Sequence, residues 1–237
     1  MKRSFTIKSV FALVVFIGCS IETMYAFNFA NSRAMLNYIK RHLPENPTIL
    51  EAGGWHGEDT VAMKTIWPGA TIHVFEPNPD SFQKLAANTK KYPEIYPYNY
   101  ALSDVRKNVD FYIDIFNDGA CSIGKPVAFN EHEFDKKPIT VPATTINIWA
   151  KEHGVNHIDF MWLDAEGHEL RILKEASDII STVKAVFTEI DFIEIREKAC
   201  LYSEVKALLE SYGFVEVWQE LCSSFFGNAL FIKKELL

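Results

Sequence analysis

Cysteine is scarce: four residues, with no C-x-x-C pair among them. The three beyond residue 26, Cys121, Cys200 and Cys222, are an odd number without framework spacing. That usage fits a reducing compartment better than a disulfide scaffold. The seven histidines include no H-E-x-x-H zinc pattern. Positive charge is short as well, with 24 Lys and Arg against 31 Asp and Glu and a net charge of −7. Leaving out residues 1–26, which carry Lys2, Arg3, Lys8 and Glu22, takes the balance to −9. Such a chain is a poor match for the phosphate neutralisation that dominates nucleic-acid affinity, so no nucleic-acid partner is expected. A small or neutral substrate fits better. No internal repeat or low-complexity tract is found. What is plentiful is apolar surface, 48% of the 237 residues, enough for the core of one large α/β domain or two small ones.

The N-terminus carries two readings. Basic residues come first, and the uncharged run from Ser9 to Ile21 is thirteen residues long. That length suits the apolar region of a signal peptide and is short for a spanning helix. Small-residue cleavage sites follow Ser20 and Ala26. Residues 1–26 are therefore read as a signal peptide or membrane anchor, giving an exported or membrane-associated protein, with residues 27–237 as a single domain. The other reading starts the chain at Met24 or Met35 and keeps it cytoplasmic, as the cysteines suggest. Both stay open, and nothing in the sequence speaks to oligomeric state.

From residue 34 strand and helix patterns alternate. Helices are expected at Ala34–Leu43, Glu58–Ile66, from the EPNPD turn through Asn88, over DAEGHELRILKEAS, and at Ser203–Ser211. Strands are expected at Thr48–Ala52, Thr71–Phe75, Ile95–Leu102, Val109–Ile115, Thr140–Thr144, Ile158–Leu163 and Val183–Ile190. A closing antiparallel pair is expected at Phe214–Trp218 and Ala229–Lys233. Residues 116–138, polar and broken by Gly and Pro, read as a long loop. The alternation implies an α/β fold, a mostly parallel sheet with helices on both faces. Ligands of such sheets bind beyond the carboxyl ends of the strands.

Those ends carry a pattern. TILEAGGWHG ends a strand in Glu51 and then spends glycines at Gly53, Gly54 and Gly57. A dinucleotide site needs G-x-G-x-x-G, yet Trp55 stands at the middle glycine, which argues against a nicotinamide cofactor. An ordinary tight turn also accounts for the glycines. VFEPNPD puts Glu76 at the next strand tip, 23 residues after Gly53, where one carboxylate holds a ribose diol. NYALSD offers Ser103 and Asp104 to an adenine edge. Together these outline an adenosine carrying a sulfonium amino acid, S-adenosylmethionine. IDFMWLDAEGHEL then sets Asp164, Glu166 and Glu169 around Gly167, with Glu189 ending the following strand. Close carboxylates raise one another's pKa and supply a base near neutrality, or they hold a divalent cation that acidifies a hydroxyl. Helix capping is the bland alternative, with Asp164 as N-cap.

At these residues the sequence resembles the FkbM-type S-adenosylmethionine-dependent methyltransferases, from about Thr48 to Glu189. ILEAGGWHGEDT, VFEPNPDSFQKLAAN, YALSD, GACSI, VPATTI and IDFMWLDAEGHELRIL follow in the family's order. The resemblance implies a class I methyltransferase fold, Rossmann-like, with seven strands and the last one antiparallel. It also implies methyl transfer to a hydroxyl oxygen, often on a sugar, glycan or other small molecule. Cofactor roles carry to Glu51, Gly53, Gly57 and Glu76, and a catalytic-face role to Asp164, Glu166 and Glu169. Two departures, Trp162 for a frequent lysine and Asn147 for a usual aspartate, bear on the acceptor. Residues 116–138 are expected to cover that acceptor. A catalytically inactive nucleoside- or glycan-binding protein of the same fold is the alternative.

Overall fold

The computed structural model describes residues 32–127 and 137–237, so the N-terminal segment and part of the 116–138 loop lie outside the described residues. Its main sheet has seven strands: β1 (Thr48–Ala52), β2 (Thr71–Phe75), β3 (Ile95–Tyr98), β7 (Phe160–Leu163), β8 (Ala185–Asp191), β9 (Phe214–Leu221) and β10 (Phe226–Lys233). They run in the order β3-β2-β1-β7-β8-β10-β9. The β1–β2, β2–β3, β1–β7 and β7–β8 pairs are parallel, whereas β10 is antiparallel to both β8 and β9. A mostly parallel sheet with a closing antiparallel pair is what the sequence alternation predicts.

Period-two alternation along the strands decides which face each side chain serves. Ile49, Ile72, Val74, Phe160, Trp162 and Phe187 pack on one face with α1 (Ser32–Ile39), α2 (Glu58–Ile66) and α3 (Pro79–Thr89). Leu50, Ala52, Met161, Leu163 and Val186 pack on the other with α4 (Ile146–His153), α5 (Glu169–Lys174) and α6 (Tyr202–Ser211). Both faces are covered, so β7 and β8 are buried at every position. Among the described residues no helix is long and apolar enough to cross a membrane.

The structure departs from the sequence expectation in three places. The predicted Ile95–Leu102 strand is two: β3 ends at Tyr98, and β4 (Ala101–Leu102) pairs with β6 (Ile139–Thr144). Asn99 makes the break, its amide donating to the carbonyls of Glu76 (2.8 Å) and Pro77 (3.3 Å). β6 also pairs with β5 (Lys107–Phe111), giving a second, three-stranded sheet. Helix α4, unpredicted, starts at an N-cap in which Thr145 Oγ1 accepts from the Ile148 N–H. Helix α5 begins at Glu169, not at Asp164. Glu166 (φ 53°) and Gly167 (φ 89°) are left-handed, and a right-handed helix cannot run through them. The N-cap is His168, so capping does not explain Asp164.

Candidate active site

The sheet's order reverses between β1 and β7, and a cavity opens there beyond the carboxyl ends of β1, β2 and β7. Gly53, Gly54 and Trp55 form one wall, Glu76 and Pro77 the next, and Asp164, Ala165, His168 and Ile172 a third. The small sheet adds Leu102 and Phe111, and the segment after β5 adds Asp118, Gly119, Cys121 and Ile123. Glu58, Asp59, Glu76, Asp118 and Asp164 all line it, and among the described residues no lysine or arginine does.

The turn after β1 brings two strand tips together. Gly53 has φ 86°, and a Cβ there would sit 1.8 Å from the Asp164 carbonyl oxygen. The space this glycine leaves is thus filled by the end of β7. Gly53→Ala is expected to cost about 3 kcal/mol or more, because neither the dihedral nor the backbone contact can relax cheaply. A urea titration followed by circular dichroism measures it.

The same turn fixes Glu76. Its Oε2 accepts from the Trp55 N–H at 2.8 Å and its Oε1 from the Asn78 N–H at 2.7 Å. Each oxygen keeps a lone pair for another donor. Burial pushes its carboxyl up to about 7, against the pull of those two N–H groups. Trp55 itself is left-handed (φ 42°) and stacks on His56 with ring centroids 4.0 Å apart.

Not every predicted cofactor residue reaches the cavity. Glu51 shares its strand face with Ile49, which turns it toward α2, and its Oε2 accepts from Thr60 Oγ1 at 2.6 Å. Burial raises its carboxyl well above the usual range. Gly57 faces Leu85 of α3. Ser103 is buried behind the wall, its hydroxyl 3.0 Å from His168 Nε2, and Asp104 pairs with Arg171 at 3.3 Å. The residue they present is His168. It is buried, lines the cavity, and desolvation lowers its pKa to about 4, so the ring is neutral.

The DAEGHE turn sorts its three acids. Asp164 is open to the cavity yet ringed by protein, and that desolvation, with the nearby Asp59, raises its carboxyl to about 6. Glu166 Oε2 is 3.0 Å from the buried Arg196 guanidinium, while burial and Asp164 raise its carboxyl to about 8. Glu169 is off the cavity and reaches back so that its Oε1 accepts from the Ala165 N–H at 2.7 Å. One carboxylate oxygen each of Asp164, Glu166 and Glu189 lie within 4.8 Å of one another. Asp191 and Arg196, unread in the sequence, come from the end of β8 and the loop beyond it. They had no motif to announce them.

The chain from Tyr112 to Ser122 closes on itself through paired backbone bonds of 2.8 and 3.1 Å. At its tip Asp118 accepts from Trp55 Nε1 (2.7 Å) and lies 3.1 Å from His56 and 3.2 Å from Lys84. The described part of the 116–138 loop therefore spans the glycine turn. Of the 116–138 segment expected to cover an acceptor, residues 128–136 fall outside the described residues. The two family departures prove remote from the cavity. Trp162 packs against Phe187 on the α1–α3 face, and Asn147 hydrogen-bonds Ser177 at the surface.

A family model described as the methyltransferase FkbM domain matches residues 45–216. The chain belongs to the FkbM methyltransferase family. It is 24% identical over 161 residues to 2-O-methyltransferase NoeI of Sinorhizobium fredii, covering 64% of this chain and 66% of that protein. It is 27% identical over 124 residues to hexuronic acid methyltransferase AglP of Haloferax volcanii, covering 51% and 47%. The chain thus spans about two thirds and about half of these relatives. A solved FkbM methyltransferase from Methylobacillus flagellatus superposes with TM-score 0.52 at 13% identity, over 79% of this chain and 44% of that one, a likeness of fold. The seven-stranded order with its antiparallel β10 is the class I methyltransferase arrangement that the sequence resemblance implied.

Proposed function

We propose that this FkbM-family chain is an S-adenosylmethionine-dependent O-methyltransferase, acting on a hydroxyl of a sugar or similar small glycan-type acceptor. In this reading residues 27–237 form one methyltransferase domain. The observation that carries it is the cavity's charge: five carboxylates line it and no lysine or arginine does among the described residues. A pyrophosphate would meet only like charge there, whereas a cofactor with a sulfonium and an ammonium meets opposite charge. Glu76, fixed by two N–H groups at the second strand tip, is positioned to accept from both ribose hydroxyls. Leu102, Ala165 and Ile172 supply apolar surface for an adenine, and the His168–Ser103 pair supplies a polar edge.

When bound, the cofactor supplies an electrophilic methyl group on sulfur. The chain's part is alignment and proton removal. Asp164 is the one acid of the DAEGHE turn on the cavity wall, and with Glu166 it takes the acceptor's proton; a divalent cation, were one held there, would acidify that hydroxyl. Glu169 acts as a positioning residue, holding the turn through Ala165. The sugar acceptor is supported by relatives named as a 2-O-methyltransferase and a hexuronic acid methyltransferase.

The test is methyl-labelled cofactor with a panel of sugars and hexuronic acids. Ether-linked label, stable to mild alkali, is expected. Label lost in mild alkali would mean an ester and a carboxylate acceptor, and absence of cofactor binding by calorimetry would overturn the reading entirely.

A further inference from the structure

We propose that Asp164, Glu166 and Glu189 form a binding site for one hard divalent cation of the Mg²⁺, Mn²⁺ or Ca²⁺ class, beside the cavity and in reach of an acceptor hydroxyl. The geometry follows from the sheet. β7 and β8 are parallel with Leu163 beside Thr188, so Asp164 and Glu189 are the next residues along two adjacent strands. The left-handed turn at Glu166 and Gly167 then folds the Glu166 side chain back toward them. The three donor oxygens lie within 4.8 Å of one another. Oxygens sharing one cation at about 2.1–2.5 Å are at most about 5 Å apart, so the set closes on an ion with little movement. An all-carboxylate set suits Mg²⁺, Mn²⁺ or Ca²⁺ rather than a thiophilic metal.

A second observation points to a missing partner. Glu189 is 8% exposed and its Oε2 has no hydrogen-bond partner among the described residues; Asp191, 2% exposed, has none there on either oxygen. Buried carboxylate oxygens without a donor are costly, and Gly167 packs directly against Asp191, a Cβ there falling 3.1 Å from its Oδ2. Among the described residues, one guanidinium, Arg196, bound to Glu166, stands against Asp164, Glu166, Glu169, Glu189 and Asp191. A divalent ion supplies the positive charge that this group is short of.

The site rests on the methyltransferase reading only for its role, in which the ion binds the acceptor oxygen and acidifies its hydroxyl. Its existence is tested separately. The full chain, stripped with EDTA and dialysed, is titrated with MnCl₂ while the electron paramagnetic resonance signal of free Mn²⁺ is followed. One ion per chain is expected, displaced by excess Mg²⁺ or Ca²⁺, and binding at least tenfold weaker in Glu189→Gln. Should that variant melt abnormally in EDTA, Glu166→Gln takes its place. A free-Mn²⁺ signal that tracks total Mn²⁺ throughout, or unchanged binding in the folded variant, overturns the site. Calorimetry with S-adenosylmethionine in EDTA is run alongside: cofactor binding without Mn²⁺ binding removes the cation site alone, and Mn²⁺ binding without cofactor binding removes the methyltransferase reading alone.

Discussion

Replacing Glu76 by alanine is expected to weaken S-adenosylmethionine binding at least 100-fold. Each hydroxyl donating to an ionised carboxylate contributes about 1.5–3 kcal/mol, and a ribose diol makes two such bonds. The substitution also strands the Trp55 and Asn78 N–H groups that now donate to Glu76, so the turn itself loosens. Isothermal calorimetry checks it, and an affinity within threefold of the parent would remove Glu76 from the cofactor site. A pH dependence accompanies the prediction. Burial raises the carboxyl to about 7, so the proton competes with the diol below that pH. Affinity should therefore reach a plateau above about pH 8 and be roughly tenfold lower at pH 6, where about one molecule in ten is ionised. Glu76→Gln should flatten the profile. The stability of the ligand-free chain moves the opposite way. The folded state holds this proton more tightly than the unfolded state does, so the contribution is present below the unfolded value and is lost as pH rises through 7.

The second large effect is expected at Asp164. Asp164→Asn keeps the shape of the side chain and removes its capacity to take a proton or to hold a cation strongly. Turnover should fall about 10²–10⁴-fold, the usual range for losing a general base. Cofactor affinity should stay within about threefold, because the proposed function has the ribose held at Glu76 instead. Single-turnover transfer and calorimetry on the same preparation separate the two quantities. Glu169→Gln should lose much less, since an amide oxygen still accepts from the Ala165 N–H. Unchanged transfer by Asp164→Asn would send the search for the base to another residue.

The parallel core was legible because short apolar runs ended at Gly, Pro and acidic breakers. β1, α2 and β2 have the bounds their patterns imply. Helix α4 was not, since its buried Ile146, Trp149 and Ala150 are too few to mark a periodic face. The β3–β4 break hangs on one side chain, Asn99, whose partners are 22 and 23 residues distant. At the cavity, the motifs pointed to Glu76 and Asp164, which line it, and to Glu51, which does not. Strand alternation alone sets it on the Ile49 face, away from the ligand side. Ser103 and Asp104 were read as direct contacts when they stand behind His168. Arg196 and Asp191 could not be read at all, because their meaning lies in contacts made across the sheet.

Asp118 holds one end of a clasp whose other end is the Trp55 indole, His56 and Lys84. On the proposed function, a nucleoside entering this cavity and its demethylated product leaving it would pass this clasp, since Trp55 and Asp118 both line the cavity. The Asp118–Lys84 ion pair is open to water, so dissolved salt screens it. Exchange of bound nucleoside should then quicken as ionic strength rises, the reverse of what attraction between an acidic cleft and a cationic ligand dictates for arrival alone. Where leaving is the slow event, the pace of the whole cycle would be set by a hydrogen bond that takes no part in the methyl transfer itself.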